Sequence, residues 1–429
     1  MEVTLVQMLD ARESRAFRQF QLNREFGKPI ISFSMNIPGP VKDTALIRRG
    51  FREGCAALEG KLPGDQILHR EFIETVTGCE AMYVLDMDAA EIKSITTAVE
   101  DAHGLGRLYD MDVLDEKLCK LDREQVGGGD RNCIVCGAPG RGCASRRSHS
   151  VTELQRATNA ILLGHLAVES LLDEVTTTPK PGLVDSHDSG SHRDMDIETF
   201  RTSAQTLRGY FQSCALAGME TAGEAPEVTF LQLRQLGLQA EQDMFAATKG
   251  VNTHKGAIFT IGILCGAAGR LWQPDGAWQE EALFTQVSAM TRAAMEADFQ
   301  KGGDTVGQRL YRDHGIRGIR GQVAEGLPAV REISLPVYRD CLEKGMDPNE
   351  AGVRTLIHLI ARVEDTNMIN RGGLAGAKAG AEACETLIGR EFTLAEVEKL
   401  NGWFVERNLS PGGCADLLAA TYFVHSLLT

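Results

Sequence analysis

The chain has 429 residues, too many for one ordinary hydrophobic core, so two or more domains are expected. Hydrophobic residues make up 43% of it, which excludes a disordered chain, and the formal net charge of −14 argues against nucleic acid or an anionic membrane as a partner. No apolar run is long enough to span a bilayer and no secretion leader is visible; eleven scattered cysteines suit reduced thiols, so a cytoplasmic protein is expected.

Up to about residue 150 the pattern is mixed. "KPIISFSMNIPGP" and "EAMYVLDMD" read as strands, "AAEIKSITTAVEDAH" as a helix, and "GRLYDMDVLD" as a further strand, giving a β-α-β unit in an α+β domain. Along the last strand Asp110 and Asp112 fall on one face, roughly 7 Å apart. Two such carboxylates repel unless a cation lies between them. They fit either a Mg²⁺ site facing a substrate's phosphates or an edge strand with a polar outer face. Arg107 just before the pair, the turn "NIPGPVK", and His69 and Arg70 in "LHRE" supply further phosphate-seeking groups.

After the loop "VGGGD" comes "CIVCGAPGRGCASRRSH". Cys133, Cys136, Cys143 and His149 have the ligand types and the tight first pair of a structural zinc site, or form a loop of reduced thiols. Arg141, Arg146 and Arg147 make this the most basic patch, suited to a substrate phosphate or an acidic protein.

From about Thr152 apolar residues recur at helical spacing, and almost no strand signal remains. The fold class read from this is an α+β N-terminal domain (residues 1–152) followed by an all-α C-terminal domain (residues 153–429), the boundary falling near 150–155 where a helix begins. The loop "TTTPKPGLVDSHDSGSHRDMD" presents Lys180 from a stiff turn, then crowds Asp185, His187, Asp188, His192, Asp194 and Asp196 together. Asp185, Asp194 and Asp196 are candidate Mg²⁺ ligands, with helix capping by Asp196 or a neighbour as the other reading. "GVNTHKGAIFTIG" sets Asn252, Thr253, His254 and Lys255 at a helix N-terminus, an anion site by its free N–H groups but not a Walker A loop. "NLSPGGCADLLAAT" repeats that logic, with Ser410 as cap and Pro411 at the first helical position. In "HLIARVEDTN", His358, Arg362 and Asp365 fall at i, i+4 and i+7 of one helix face, as a salt bridge or a catalytic group. "RGIRGQ" adds Arg317 and Arg320.

On these residues the first half resembles the citrate lyase holo-acyl-carrier-protein synthase family, a phosphoribosyl-dephospho-CoA transferase, through "ISFSMNIPGPVK", "LHRE", "GRLYDMDVLD" and the cysteine segment. The second half resembles triphosphoribosyl-dephospho-CoA synthase, through "TTPKPGLVD", "HRDMD", "MFAATKGVNTHKGAIF", "GIRG", "VEDTN" and "NLSPGGCADLLA". The resemblance implies a two-step assembly. ATP and 3′-dephospho-CoA would give the triphosphoribosyl intermediate with loss of adenine, with Asp365 or Glu364 as the carboxylate beside an oxocarbenium-like transition state. The phosphoribosyl-dephospho-CoA would then pass to a serine of the apo acyl carrier protein, the gamma subunit of citrate lyase, Asp110 and Asp112 holding Mg²⁺. The family pattern has serine where this chain has Cys414, a weaker hydrogen-bond donor. Three other readings stay open: the same cofactor chemistry serving malonate decarboxylase, a non-catalytic carrier-protein maturation factor, and a helical nucleotide hydrolase.

Overall fold

Strand alternation organises the first part of the computed structural model, which describes residues 1–301, 303 and 305–429. Helix α1 (Leu5–Phe26) is followed by β1 (Ile30–Met35), α2 (Ala45–Glu59), β2 (Ile67–Thr75), β3 (Gly78–Leu85), α3 (Ala89–Ala102), β4 (Tyr109–Leu114) and the two-residue β5 (Lys120–Leu121). The strands form one sheet in the order β2-β3-β1-β4-β5, every neighbouring pair antiparallel. The expected β-α-β unit is β3-α3-β4, but β1 separates its two strands.

Residues opposite one another across β3, β1 and β4 share a face. Ala81, Tyr83, Ile31, Phe33, Tyr109, Met111 and Val113 make one buried face. There the Phe33 ring stacks on Phe51 of α2 at 5.0 Å and meets Tyr109 edge-on at 5.2 Å. The other face carries Met82, Val84, Ile30 and Leu114, packed against Leu22 of α1, and beyond them Glu80, Ser32, Ser34, Asp110 and Asp112. Helix α1 carries no readable apolar stripe: Leu22 is buried, whereas Leu5, Val6, Leu9, Phe17 and Phe20 are exposed.

The chain continues through α4 (Gly140–Arg146), α5 (Val151–Thr176), α6 (Ile197–Thr206), α7 (Arg208–Glu220), α8 (Pro226–Ala247), α9 (Lys255–Arg270) and α10 (Glu280–Gln300). After these come α11 (Val306–His314), α12 (Gly318–Ala324), α13 (Leu335–Glu343), α14 (Pro348–Arg362), α15 (Thr366–Ile388), α16 (Leu394–Glu406) and α17 (Gly412–Leu428). By its contacts the chain divides into Met1–Leu162 with Gln273–Ala277, and Leu163–Trp272 with Trp278–Thr429. The division falls inside α5, which begins at Val151. In the second unit α9 and α17 are apolar and buried around most of their circumference, the pattern of central helices. No helix among the described residues is long and apolar enough to cross a membrane.

Two local expectations change. His358, Arg362 and Asp365 do not share a helix: α14 ends at Arg362, Val363 is extended, and Asp365 caps the next helix through the amides of Asn367 and Met368. A carboxylate satisfying free N–H groups at a helix start outweighs continued apolar periodicity. Ser410 is likewise no cap and Pro411 is not the first helical residue; α17 starts at Gly412 with Pro411 in the cap position.

Candidate active sites

In the first unit β4 displays Asp110 and Asp112 on the face toward α1, opposite Ser34 and Ser32. The Lys120 ammonium lies 2.6 Å from Asp112 Oδ1. Asp110 has no ion-pair partner among the described residues. Poor hydration first, then the charge of Asp112, push its carboxyl above the usual range, even though the residue keeps exposed surface. Strand β5 covers only Val113 and Leu114, so β4 is partly an open edge. Side chains of α3 close it: Glu100 accepts from the Met111 amide at 2.9 Å, and Lys93 donates to the Met111 carbonyl at 3.0 Å. The edge is thereby blunted while its polar side chains stay available.

A hollow of about 150 Å³ beside Asp110 is lined by Arg12 and Arg15 of α1, by Asn36 and by Lys42. Burial, then the Arg12 charge, lower the Lys42 ammonium, and Lys42 donates to the Ile37 carbonyl. Arg15 and Arg18 hold Glu80. These α1 arginines belong to no motif, and their signal in the sequence is the recurrence of Arg12, Arg15 and Arg18 at every third residue. His69 and Arg70 do not converge: adjacent strand residues face opposite ways. His69 packs 5.6 Å from the Phe26 ring, while Arg70 pairs with Glu59 of α2 at 3.4 Å. Arg107 turns from the carboxylates to the carbonyl of Asn132.

The cysteine segment gathers its four expected residues. The Sγ atoms of Cys133, Cys136 and Cys143 and a ring nitrogen of His149 all lie within 4.8 Å of one another. Burial works against ionisation of Cys133, but the amides of Cys136 and Val135 and the neighbouring thiols prevail, lowering it to about 7.

The second unit holds a cavity of about 970 Å³, onto which the first residues of α9, α15 and α17 open. Helix starts carry free N–H groups and the positive end of the dipole, so their convergence makes an anion site. Lys180, Asn252, His254, Lys255, Arg317, Glu364, Asp365 and Ser410 all line it; Asp185, Asp194, Asp196 and Arg320 do not.

Most of these groups already have work. Lys180 is buried and donates to the carbonyl and, at 2.5 Å, to the carboxylate of Glu174, which also lines the cavity. Lys255 pairs with Glu241 at 2.7 Å, and Arg317 with Glu325. Ser410 bonds His192 Nε2 at 2.9 Å. Asp365 accepts from the amides of Asn367, Met368 and Cys414 at 2.8 to 3.0 Å, which leaves little lone-pair capacity for chemistry. Arg362, on the cavity wall, is exposed and has no ion-pair partner among the described residues. It makes no salt bridge to Asp365, which was one of the two readings of their spacing.

His254 is buried against Ser203, its Nδ1 2.7 Å from the hydroxyl, while its Nε2 finds no partner among the described residues. Burial, helped by the Lys180 charge, lowers it to about 3, so the ring is neutral. Asp416 of α17 also lines the cavity. Burial, then the charges of Glu174 and Asp365, push its carboxyl well above the ordinary range, against one amide bond from Ala257. Gly256 makes room for it: a β-carbon there would come 1.8 Å from Asp416 Oδ2. Asp416 was legible as the one acid in the apolar run "CADLLAATYFVHSLL".

The three loop aspartates proposed as one Mg²⁺ ligand set are not gathered. Asp185 is buried and ties the loop together, accepting from the amides of Lys180, His187 and Asp188. Asp194 is exposed, and Asp196 caps α6 through Thr199.

Two family descriptions cover the chain. Residues 3–164 match CitX, apo-citrate lyase phosphoribosyl-dephospho-CoA transferase, and residues 161–429 match CitG, ATP:dephospho-CoA triphosphoribosyl transferase. Protein CitXG of Haemophilus influenzae is 32% identical, with 98% of this chain aligned to 96% of that one. Protein CitXG of Leuconostoc mesenteroides subsp. cremoris is also 32% identical, over 99% of this chain and 97% of its own length. The chain belongs to this fused CitX–CitG family. Its CitG part is 37% identical to the 2-(5''-triphosphoribosyl)-3'-dephosphocoenzyme-A synthase of Pectobacterium atrosepticum, over 64% of this chain and 92% of that one. As a CitX–CitG protein it is a bifunctional transferase of citrate lyase prosthetic-group synthesis. The difference at Cys414 has a clear location: the thiol is buried beside Asp365 and donates to its carboxylate, where a hydroxyl would donate more strongly.

Proposed function

We propose that an all-helical second unit makes the triphosphoribosyl intermediate in its large cavity, and that an α+β first unit loads it onto the carrier protein at the Asp110–Asp112 face. In the cavity, the triphosphate of ATP lies against the starts of α9, α15 and α17. Arg362, without an ion-pair partner among the described residues, supplies it with a cation, and Lys255 and Arg317 turn toward it from their carboxylate partners. Asn252 and the neutral His254, through Nε2, add polar contacts. The ribose 2′-hydroxyl of dephospho-CoA attacks the anomeric carbon of the ATP ribose, and adenine departs. Asp416 is the acid. A carboxyl held protonated by burial can give its proton to the leaving base, and the carboxylate then left behind takes the proton of the attacking hydroxyl. The same carboxylate favours the positive charge that develops on the ribose. Lys180 neutralises Glu174, and Asp365 fixes the starts of α15 and α17; both are positioning residues.

In the first unit the serine hydroxyl of the apo carrier protein, the gamma subunit of citrate lyase, attacks the innermost phosphate and pyrophosphate leaves. Asp110 and Asp112 fit a Mg²⁺ ion, being hard oxygen donors on one strand face with mutual repulsion to relieve. When bound, that ion would neutralise charge on the phosphate under attack. Arg12, Arg15 and Lys42 hold the outer phosphates.

One observation carries the synthase reading: the carboxyl of Asp416 lies at the wall of a cavity onto which several helix starts open, and burial pushes it above the ordinary carboxylate range. The test is Asp416→Asn in the full chain, with adenine release from ATP and dephospho-CoA as readout. Release is expected to fall by about 10²- to 10⁴-fold, while loading from supplied triphosphoribosyl intermediate persists. Undiminished release would remove Asp416 from the reaction.

A further inference from the structure

We infer that Cys133, Cys136, Cys143 and His149 bind a structural zinc ion in the first unit. Tetrahedral zinc sits about 2.3 Å from sulfur and about 2.1 Å from nitrogen, so its ligands lie about 3.8 Å apart along a sulfur–sulfur edge. Here Cys136 and Cys143 Sγ are 3.5 Å apart, and His149 Nε2 is 3.3 Å from Cys136 Sγ. Four ligand atoms from one short segment converge at zinc-ligand spacing, and no carboxylate among the described residues joins them.

The backbone is shaped for the same purpose. The Val135 amide points at Cys133 Sγ at 3.5 Å, and the Gly137 amide closes on the Cys133 carbonyl at 3.0 Å. Gly137, at φ +72°, takes the left-handed turn that follows the Cys-x-x-Cys pair. Amides aimed at a sulfur stabilise a thiolate, the form that binds metal. Four protein ligands leave no open position, so the ion is structural rather than catalytic.

What the ion holds is the approach to the aspartate strand. Arg131, two residues before Cys133, donates to the carbonyls of Gly106 and, at 2.7 Å, Tyr109. In return Arg107 donates to the carbonyl of Asn132. Zinc therefore braces the turn that delivers Asp110, without touching substrate.

The unmodified full chain comes first, purified without chelator from zinc-supplemented cells. Elemental analysis is expected to give one zinc per chain. Replacement by Co²⁺ should give the thiolate-to-metal and tetrahedral d–d absorptions. The double variant Cys136→Ser, Cys143→Ser should lose the metal. Its carrier loading should fall at least about tenfold, while adenine release, measured on the same preparation, stays unchanged and shows that the rest of the chain is folded. A metal-free chain without cobalt bands, zinc retained by the double variant, or a Cys136–Cys143 disulfide in peptide maps of the unmodified chain would each overturn the assignment.

Discussion

The sites proposed in the two units are built from different materials. In the first, the anionic and cationic groups are side chains set out by strand register and by α1, around a hollow of only about 150 Å³. In the second, helix starts open onto a cavity of about 970 Å³ whose cations are mostly bound to carboxylates already, so the proposed attraction is left largely to the backbone. A shallow polar face suits a reaction whose second substrate is a whole protein. A deep cavity suits one whose intermediate must be kept from water.

The difference can be broken at its tightest point. Gly256→Ala places a methyl carbon 1.8 Å from Asp416 Oδ2, so the carboxyl or the start of α9 must move. A cost of about 1–3 kcal/mol is expected in chemical denaturation, with a larger proportional loss of adenine release and no change in loading from supplied intermediate. If adenine release survives, the close approach of Asp416 to α9 is not needed.

A pH experiment sharpens the contrast. His254 is held neutral, its folded value near 3 against an ordinary 6.5, so the unfolded chain binds the extra proton. The stability it supports is full above pH 6.5 and is lost as pH falls toward 3, on the order of 2 kcal/mol by pH 5. Urea unfolding at pH 7 and pH 5 should show that loss in the parent chain and a smaller one in His254→Gln. Equal losses would mean the ring is not buried neutral.

The smallest effect belongs to Cys414→Ser. A hydroxyl donates more strongly to Asp365 than the thiol does, so stability is expected to rise by up to about 1 kcal/mol, with adenine release unaltered. A marked destabilisation would show that sulfur's volume matters more there than its hydrogen bond.

The comparison also explains what could be read in advance. Strands β1, β3 and β4 and helix α3 were legible because their alternation and periodicity are local and reflect real burial. Helix α1 was not, since it buries chiefly Leu22 and leaves large apolar residues in the open. In the helical unit the anion-binding segments around 252–255 and 410–413 stood out, each being a polar turn before an apolar helix. Their convergence did not, because it is set by how distant helices pack. Asp365 shows the limit well. Its neighbours His358 and Arg362 drew it onto one helix face by spacing, while the cap signal in "EDTN" was the one that mattered.

Carrier loading is assigned to the aspartate strand, and adenine release is not. That assignment is tested most directly by Asp110→Asn, Asp112→Asn in the full chain. The variant is incubated with ATP, dephospho-CoA and apo carrier protein, following carrier mass and free adenine together. Adenine at the parent rate and a carrier that stays unmodified are expected. A fully loaded carrier, or adenine release that falls along with loading, would contradict the assignment.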